Sequence, residues 1–193
     1  DESNKILLLI VYLFFVISIQ VSTSEQIIRQ KCGKSNYNLA IFSVLFPWLI
    51  GFGSVLLGLL YLPGWKAPFA NTFGYLVISM FGLKRLMNAI YLKELPEDNS
   101  ELKTLHKKIT NDYSLVVNEI TPDNMFGEKN SFMSTNKTLF KDEFTRPNLL
   151  IKDEGLKNPT LKALHQLVVL KDTVSEFIWF FLTGSLIITI TYN

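Results

Sequence analysis

Cysteine is nearly absent: the 193 residues contain one, Cys32. A single thiol closes no intrachain disulfide and makes no cysteine-rich metal site. Histidine is as scarce, and His106 and His165 lie far apart in the chain. Such a pair reads as surface or domain-interface side chains rather than as ligands or a general base. Also missing are an HExxH pair, a glycine-rich phosphate loop after a strand and a GxSxG elbow. The acidic pairs Asp142-Glu143 and Asp153-Glu154 are adjacent, so their side chains diverge on a helix or strand and read as solvated faces. Net charge is +2, from 19 basic and 17 acidic residues, without the clustered basic excess that nucleic acid demands. Repeats and low-complexity runs are absent. These gaps leave no candidate catalytic residue, cofactor, metal site or small-molecule substrate, and nucleic acid is not expected as a partner.

What the chain has is hydrophobicity in blocks. Ile6 to Ile17 is an unbroken apolar run, extended by Ser18, Ile19, Gln20 and Val21 to about one bilayer span of ~20 residues. A secretory signal peptide competes, with Lys5 before the run and Val21-Ser22-Thr23 after it. The acidic start Asp1-Glu2 favours an uncleaved span. Leu39 to Leu62 holds no charge, and its Pro47, Gly51, Gly53 and Gly58 are tolerated in a lipid-embedded helix. Ala67 to Leu83 is a third uncharged block, ending at Lys84-Arg85. It is short for a crossing unless the two cations snorkel. Phe177 to Tyr192 is a fourth. No charged residue lies within these spans, which argues against a pump or coupled transporter.

Residues 84–176 differ, with fourteen basic and fourteen acidic residues, and read as a water-facing domain. Glu97-Asp98-Asn99-Ser100 predicts a helix start, followed by Leu102, Leu105 and Ile109 on one face. Tyr113 to Ile120 is rich in strand formers, Thr121-Pro122-Asp123-Asn124 is a turn, and 127–148 reads as an extended loop. Leu149-Leu150-Ile151 fits a short strand. Asn158-Pro159 opens a helix carrying Leu161, Leu164, Leu167, Val168 and Lys171 at helical spacing.

The expected fold is therefore mainly α, a multi-span transmembrane helical protein of about four spans with a small, mostly helical polar domain containing short strands. Its parts are a first transmembrane helix (1–23), a basic juxtamembrane loop (24–38), a transmembrane hairpin with an interfacial PGW loop (39–83), a polar partner-contact domain (84–176) and a C-terminal transmembrane helix (177–193). Four crossings put the basic segments 20–38 and 84–176 on one side, the cytosolic one by the positive-inside rule. That side hides the sequon Asn136-Lys137-Thr138 from glycosylation. Trp48, Tyr61, Trp65, Lys66, Phe69, Tyr75, Lys84, Arg85, Trp179 and Tyr192 are expected at the membrane interface. Pro63 and Gly64 suit the centre of a type II turn. Pro68 follows in the same connection, and Asn71 or Thr72 is placed to cap the next helix.

The block from Phe46 to Val77, with Pro63, Gly64, Trp65, Pro68, Phe69, Asn71, Thr72, Gly74 and Tyr75 spelling PGWxxPFxNTxGY, resembles transmembrane minor capsid and internal-membrane proteins of large icosahedral DNA viruses, including those of algae. The resemblance covers this block alone. It implies a structural role, anchoring a capsid shell to the lipid bilayer beneath it, with 84–176 facing the shell on the former cytosolic side of a virion membrane. Two other readings stay open on the residues: a small channel or membrane-permeabilising protein, and an accessory subunit of a large membrane complex.

Overall fold

The computed structural model describes residues 2–91, 100–127 and 129–192. The described chain is mainly helical: α1 (Glu2–Cys32), α2 (Tyr37–Tyr61), α3 (Ala67–Phe69), α4 (Tyr75–Met80), α5 (Leu83–Ile90), α6 (Ser100–Asn111), α7 (Ser114–Val117), α8 (Phe132–Thr135), α9 (Lys152–Gly155) and α10 (Pro159–Tyr192). Three of them are long and apolar enough to cross a membrane, over Ile10–Cys32, Tyr37–Tyr61 and Pro159–Thr191. The third uncharged block forms no such helix. The chain divides into two compact units, one of Asp1–Leu62 with Trp179–Asn193 and one of Pro63–Ile178. Residues 63–83 therefore belong with the polar segment, and the expected hairpin 39–83 ends at Leu62.

In the first unit, Asn36 starts α2 by accepting a hydrogen bond from the Leu39 amide at 3.1 Å. The helix then runs uninterrupted through Pro47. Its buried face of Val44, Trp48 and Phe52 meets Ile187, with Leu13, Val16 and Ile17 packed beside them. Phe52 stacks on Phe180, with ring centroids 4.9 Å apart. Gly51 lets α10 approach: a Cβ there would stand 3.0 Å from the Ile187 methyl. The outer faces carry Phe14, Phe15, Phe42, Leu49, Leu60 and Phe181, all exposed. This inversion, with large rings outside and a slim packed seam inside, is the pattern of helices solvated by lipid.

The second unit buries a core of its own. Ile78, Leu83, Met87 and Ile90 pack with Val116, Val117 and Ile120, and with Leu161, Leu164 and Val168 of α10. The entry to it is a succession of short helical pieces: a 3-10 turn Pro63–Trp65, α3, a π-helical turn Ala70–Gly74 and α4. Gly82, at φ +88°, then breaks the helix and lets α5 restart. Asn158 caps α10 as the sequence predicts, accepting from the amides of Thr160 at 3.0 Å and Leu161 at 3.2 Å.

Several expectations change here. Among the described residues no strand forms, and the one β contact is an isolated antiparallel bridge between Tyr91 and Phe140. The strand expected over 113–120 is α7 followed by a turn. Val116 and Val117 are both buried there, which an alternating strand with one wet face would not allow. Leu149 and Leu150 end a 3-10 turn, Pro147–Leu150, instead of forming a strand with Ile151. The loop expected over 127–148 is, over 129–148, built of short turns pinned by buried Met133, Phe140 and Phe144. A reciprocal cap between Ser131 and Ser134 starts its α8. The turn at 121–124 is present, closed by Asn124 and Thr121 bonding each other's backbone amides at 2.8 and 3.2 Å. Residues 97–99 of the expected helix start lie outside the described residues, as do the side chains of Leu102 and Leu105; α6 is described from Ser100.

Candidate functional site

The densest polar arrangement lies where 63–75 meets α10. Lys66 reaches both Asp172, at 3.0 Å, and Glu176, at 2.6 Å. Those carboxylates sit one helical turn apart on one face, so a single ammonium can serve both. Burial opposes the charge on Lys66, but its bonds to Glu176 and Asp172 outweigh that and hold the ammonium above the ordinary lysine range. The Ser175 hydroxyl donates to the Lys66 carbonyl at 2.6 Å, fixing the backbone as well. One turn earlier on α10, Lys171 is only 2 % exposed. Its ammonium donates to the carbonyls of Val117 at 2.7 Å and Ile120 at 2.9 Å, the last acceptors of α7 and its following turn. Gly74 lies against Lys171: a Cβ there would stand 2.5 Å from the Lys171 carbonyl oxygen and 2.9 Å from its Cγ.

Lys171 thus fastens α7 to α10, Gly74 lets the π-helical turn lie flat on α10, and Lys66 clamps the start of that segment. Each of these contacts joins one element of the unit to another. Among the described residues no three His, Cys, Asp or Glu side chains gather as a metal site. His106 stacks on Tyr91 at 5.1 Å. His165 tilts against Phe126 at 5.9 Å. Tyr91, at the centre of an aromatic group with Tyr113 and Phe140, has its hydroxyl pKa pushed up to about 12 by burial and by Tyr113.

The expected interface residues scatter among several roles. Lys66 is the clamp just described, on the same compact unit as Asp172 and Glu176. Tyr61 ends α2 and is 76 % exposed. Trp65 and Pro68 are exposed and Phe69 is half-buried, all in the connection. Tyr75 is half-buried against the second unit's core. Its hydroxyl stands 3.5 Å from the Asp112 carboxylate. Lys84 and Arg85 are exposed on α5. Trp179 is half-buried and lines an apolar groove with Phe46, Ile50 and Leu186. The Tyr192 side chain lies outside the described residues.

Trp48 is not an interfacial ring. It sits midway along α2, 4 % exposed, and its indole N–H donates to the Gln20 Oε1 at 2.7 Å. Nearby, the hydroxyls of Ser24 and Ser43 are 3.0 Å apart. These polar contacts join α1 to α2, where Glu25 is buried beside Ser24. Trp48→Phe leaves the buried Gln20 amide without its partner, and we expect it to cost about 1–2 kcal/mol. The measurement is a double-mutant cycle with Gln20→Leu, read by unfolding in mixed micelles; additive effects would remove the bond from the stability of the bundle.

The turn and cap residues also differ from expectation. Pro63 and Gly64 form a 3-10 turn rather than type II, and Gly64 keeps a negative φ. That geometry leads directly into the helix at Ala67. The Pro63 side chain lies outside the described residues. Asn71 and Thr72 cap nothing: both fall inside the π-helical turn, where the Thr72 hydroxyl donates to the Pro68 carbonyl at 2.6 Å. Because the helix starts at Ala67, an N-cap role would belong to Lys66, which makes no side-chain cap.

Sequence reasoning missed Lys171 and Gly74 as a pair. Lys171 shares the helical register of Leu161, Leu164 and Val168, so a cation on the apolar face was the available signal. Neither a family model, nor a curated protein, nor a solved structure matches this chain.

Proposed function

We propose that the protein is a structural membrane anchor that crosses the bilayer three times, with α10 entering the bilayer over residues 174–178 so that about 28 Å of it lies in lipid, and presents the unit 63–178 on one face to a protein partner. The observation that carries this is the division of labour between two cores. One is a slim seam among long helices whose large apolar side chains face outward. The other closes a helical body around Lys171 and carries a surface of balanced charge. Three crossings are preferred to four because the Lys66 ion pairs join the PGW connection to Asp172 and Glu176. Four crossings would part those residues by a bilayer.

With three crossings, residues 33–36 and the C-terminus lie opposite 63–178. Arg29, Lys31 and Lys34 then no longer share a side with the polar body, and loop charge ceases to set the orientation. The resemblance of Phe46–Val77 supports a capsid shell as the partner, a virion internal membrane as the location and the former cytosolic side for 63–178. The body reads as non-catalytic, built for docking.

Cross-linking mass spectrometry on particles that contain the protein tests this. Links from Lys107, Lys129 or Lys157 to a shell protein are the expected result. A protein that links only to components of a respiratory or ATP-synthase assembly contradicts the capsid reading. The sequon gives a second reading: synthesis with microsomes should leave Asn136 unglycosylated, and an endoglycosidase-sensitive gel shift would put 63–178 on the luminal face.

A further inference from the structure

The segment Ala67–Met80 has two unlike faces. Ala70, Gly74 and Ile78 are buried. Phe73, Leu76 and Met80 point the other way, 51 %, 60 % and 80 % exposed, with Phe81 beside them at 69 %. Large apolar side chains three and four residues apart make a continuous stripe on a helix, and here the second unit leaves that stripe uncovered. A surface of this kind marks a contact with a partner or a membrane.

Three observations identify what covers it. The stretch of helical pieces, three, five and six residues long, spans about 21 Å at 1.5 Å per residue, too short for a ~30 Å hydrocarbon core. It begins six residues after Tyr61, the end of the apolar helix α2, so the chain lets its start lie no more than about 20 Å from that helix end. The sequence from Pro63 to Lys93 contains Lys66, Lys84, Arg85 and Lys93 and no acidic residue, and Lys84 and Arg85 are exposed just past the stripe. An apolar face with cations at its border is the composition of a helix lying in a bilayer surface rich in anionic lipid.

We propose that the outer face of Ala67–Met80 is seated in the surface layer of the bilayer, with Phe73, Leu76 and Met80 in the outer acyl region and Lys84 and Arg85 on anionic lipid phosphates. This rests on the three-crossing reading, in which α2 delivers the segment to the membrane surface. It adds a second kind of lipid contact, one that fixes how the 63–178 body is held against the bilayer.

The test uses the full chain with Cys32→Ser, reconstituted into vesicles of phosphatidylcholine with or without phosphatidylserine. An environment-sensitive fluorophore is placed at Leu76→Cys, at Met80→Cys, at Leu49→Cys midway along α2 and at the exposed Glu143→Cys. Lipids brominated high or low in the acyl chain serve as quenchers. The expected result is quenching at 76 and 80 by the shallow bromines, at 49 by the deep ones and at 143 by neither. Lys84→Glu with Arg85→Glu should reduce the quenching at 76 and 80 in phosphatidylserine vesicles only. If 76 and 80 are as wet as 143 while 49 is quenched deeply, the surface-helix inference falls and the three-crossing reading stands. Dry labels that no brominated lipid quenches would show a protein, such as a second copy, on this face and overturn the lipid contact. Deep quenching at 76 would make the segment a crossing and overturn both.

Discussion

Gly74→Val should lower the stability of the 63–178 body by about 3 kcal/mol, at the upper end of what overpacking usually costs. The reason is the neighbour. A Cβ at this position would stand 2.5 Å from the carbonyl oxygen of Lys171 and 3.2 Å from its carbonyl carbon. Those are backbone atoms of a long helix and cannot turn aside as a side chain would. Gly74 has ordinary helical dihedrals, φ −60° and ψ −47°, so backbone strain plays no part. Gly74→Ala should show the same effect reduced, because alanine recovers up to ~1 kcal/mol of helix propensity while meeting the same carbonyl. Gly64→Ala is the control: nothing lies within 4 Å of a Cβ there, and its effect should stay within about 0.5 kcal/mol. Thermal unfolding in nanodiscs, followed by near-ultraviolet circular dichroism, reads all three. Equal effects at 64 and 74 would mean that the π-helical turn does not lie against α10.

Lys171→Met should cost about 2 kcal/mol, and the damage should be local. Two opposing terms decide the size. The buried Ile120 carbonyl loses its lysine donor, at about 1–3 kcal/mol, while the Val117 carbonyl loses the stronger of two donors and keeps the Ile120 amide at 3.3 Å. Removing a buried charge returns part of that. The lost hydrogen bonds win because methionine fills the volume but donates nothing, and water has little access to a site 2 % exposed. Hydrogen exchange locates the effect: amides of 114–120 should exchange faster, while those of α2 keep their rates. A variant as stable as the parent, with unchanged exchange in α7, would show that Lys171 is tolerated there rather than used.

Much of the helical frame was legible in the residues. The uncharged run Leu39–Leu62 needs no partner to declare itself, and Asn158-Pro159 announces α10 with a cap and a first-turn proline. The failures share one cause, the reading of local composition where distant contacts decide. Ala67–Leu83 has the composition of a span, yet Gly82 breaks it, and Lys66 ties its start to residues more than a hundred positions away. Val116 and Val117 favour a strand by their branching, but both are buried in the core that Lys171 completes, and a short helix buries both where a strand would expose one. Trp48 was expected at the membrane interface as an amphipathic ring; Gln20, 28 positions earlier, is what draws it inward. Lys171 was visible as a cation in an apolar register, but its acceptors lie some fifty residues back, and spacing alone does not reveal them.

The sidedness of three positions tests the three-crossing anchor most directly. With Cys32→Ser as background, Gly64→Cys, Glu143→Cys and Lys34→Cys are each made in sealed vesicles and treated with a membrane-impermeant maleimide before and after permeabilisation. All three sites are exposed, so labelling reports the side and not burial. The prediction is that 64 and 143 react together from one face and 34 from the other. Gly64→Cys and Glu143→Cys reacting from opposite faces would restore a fourth crossing between them and contradict the anchor with a single body at residues 63–178.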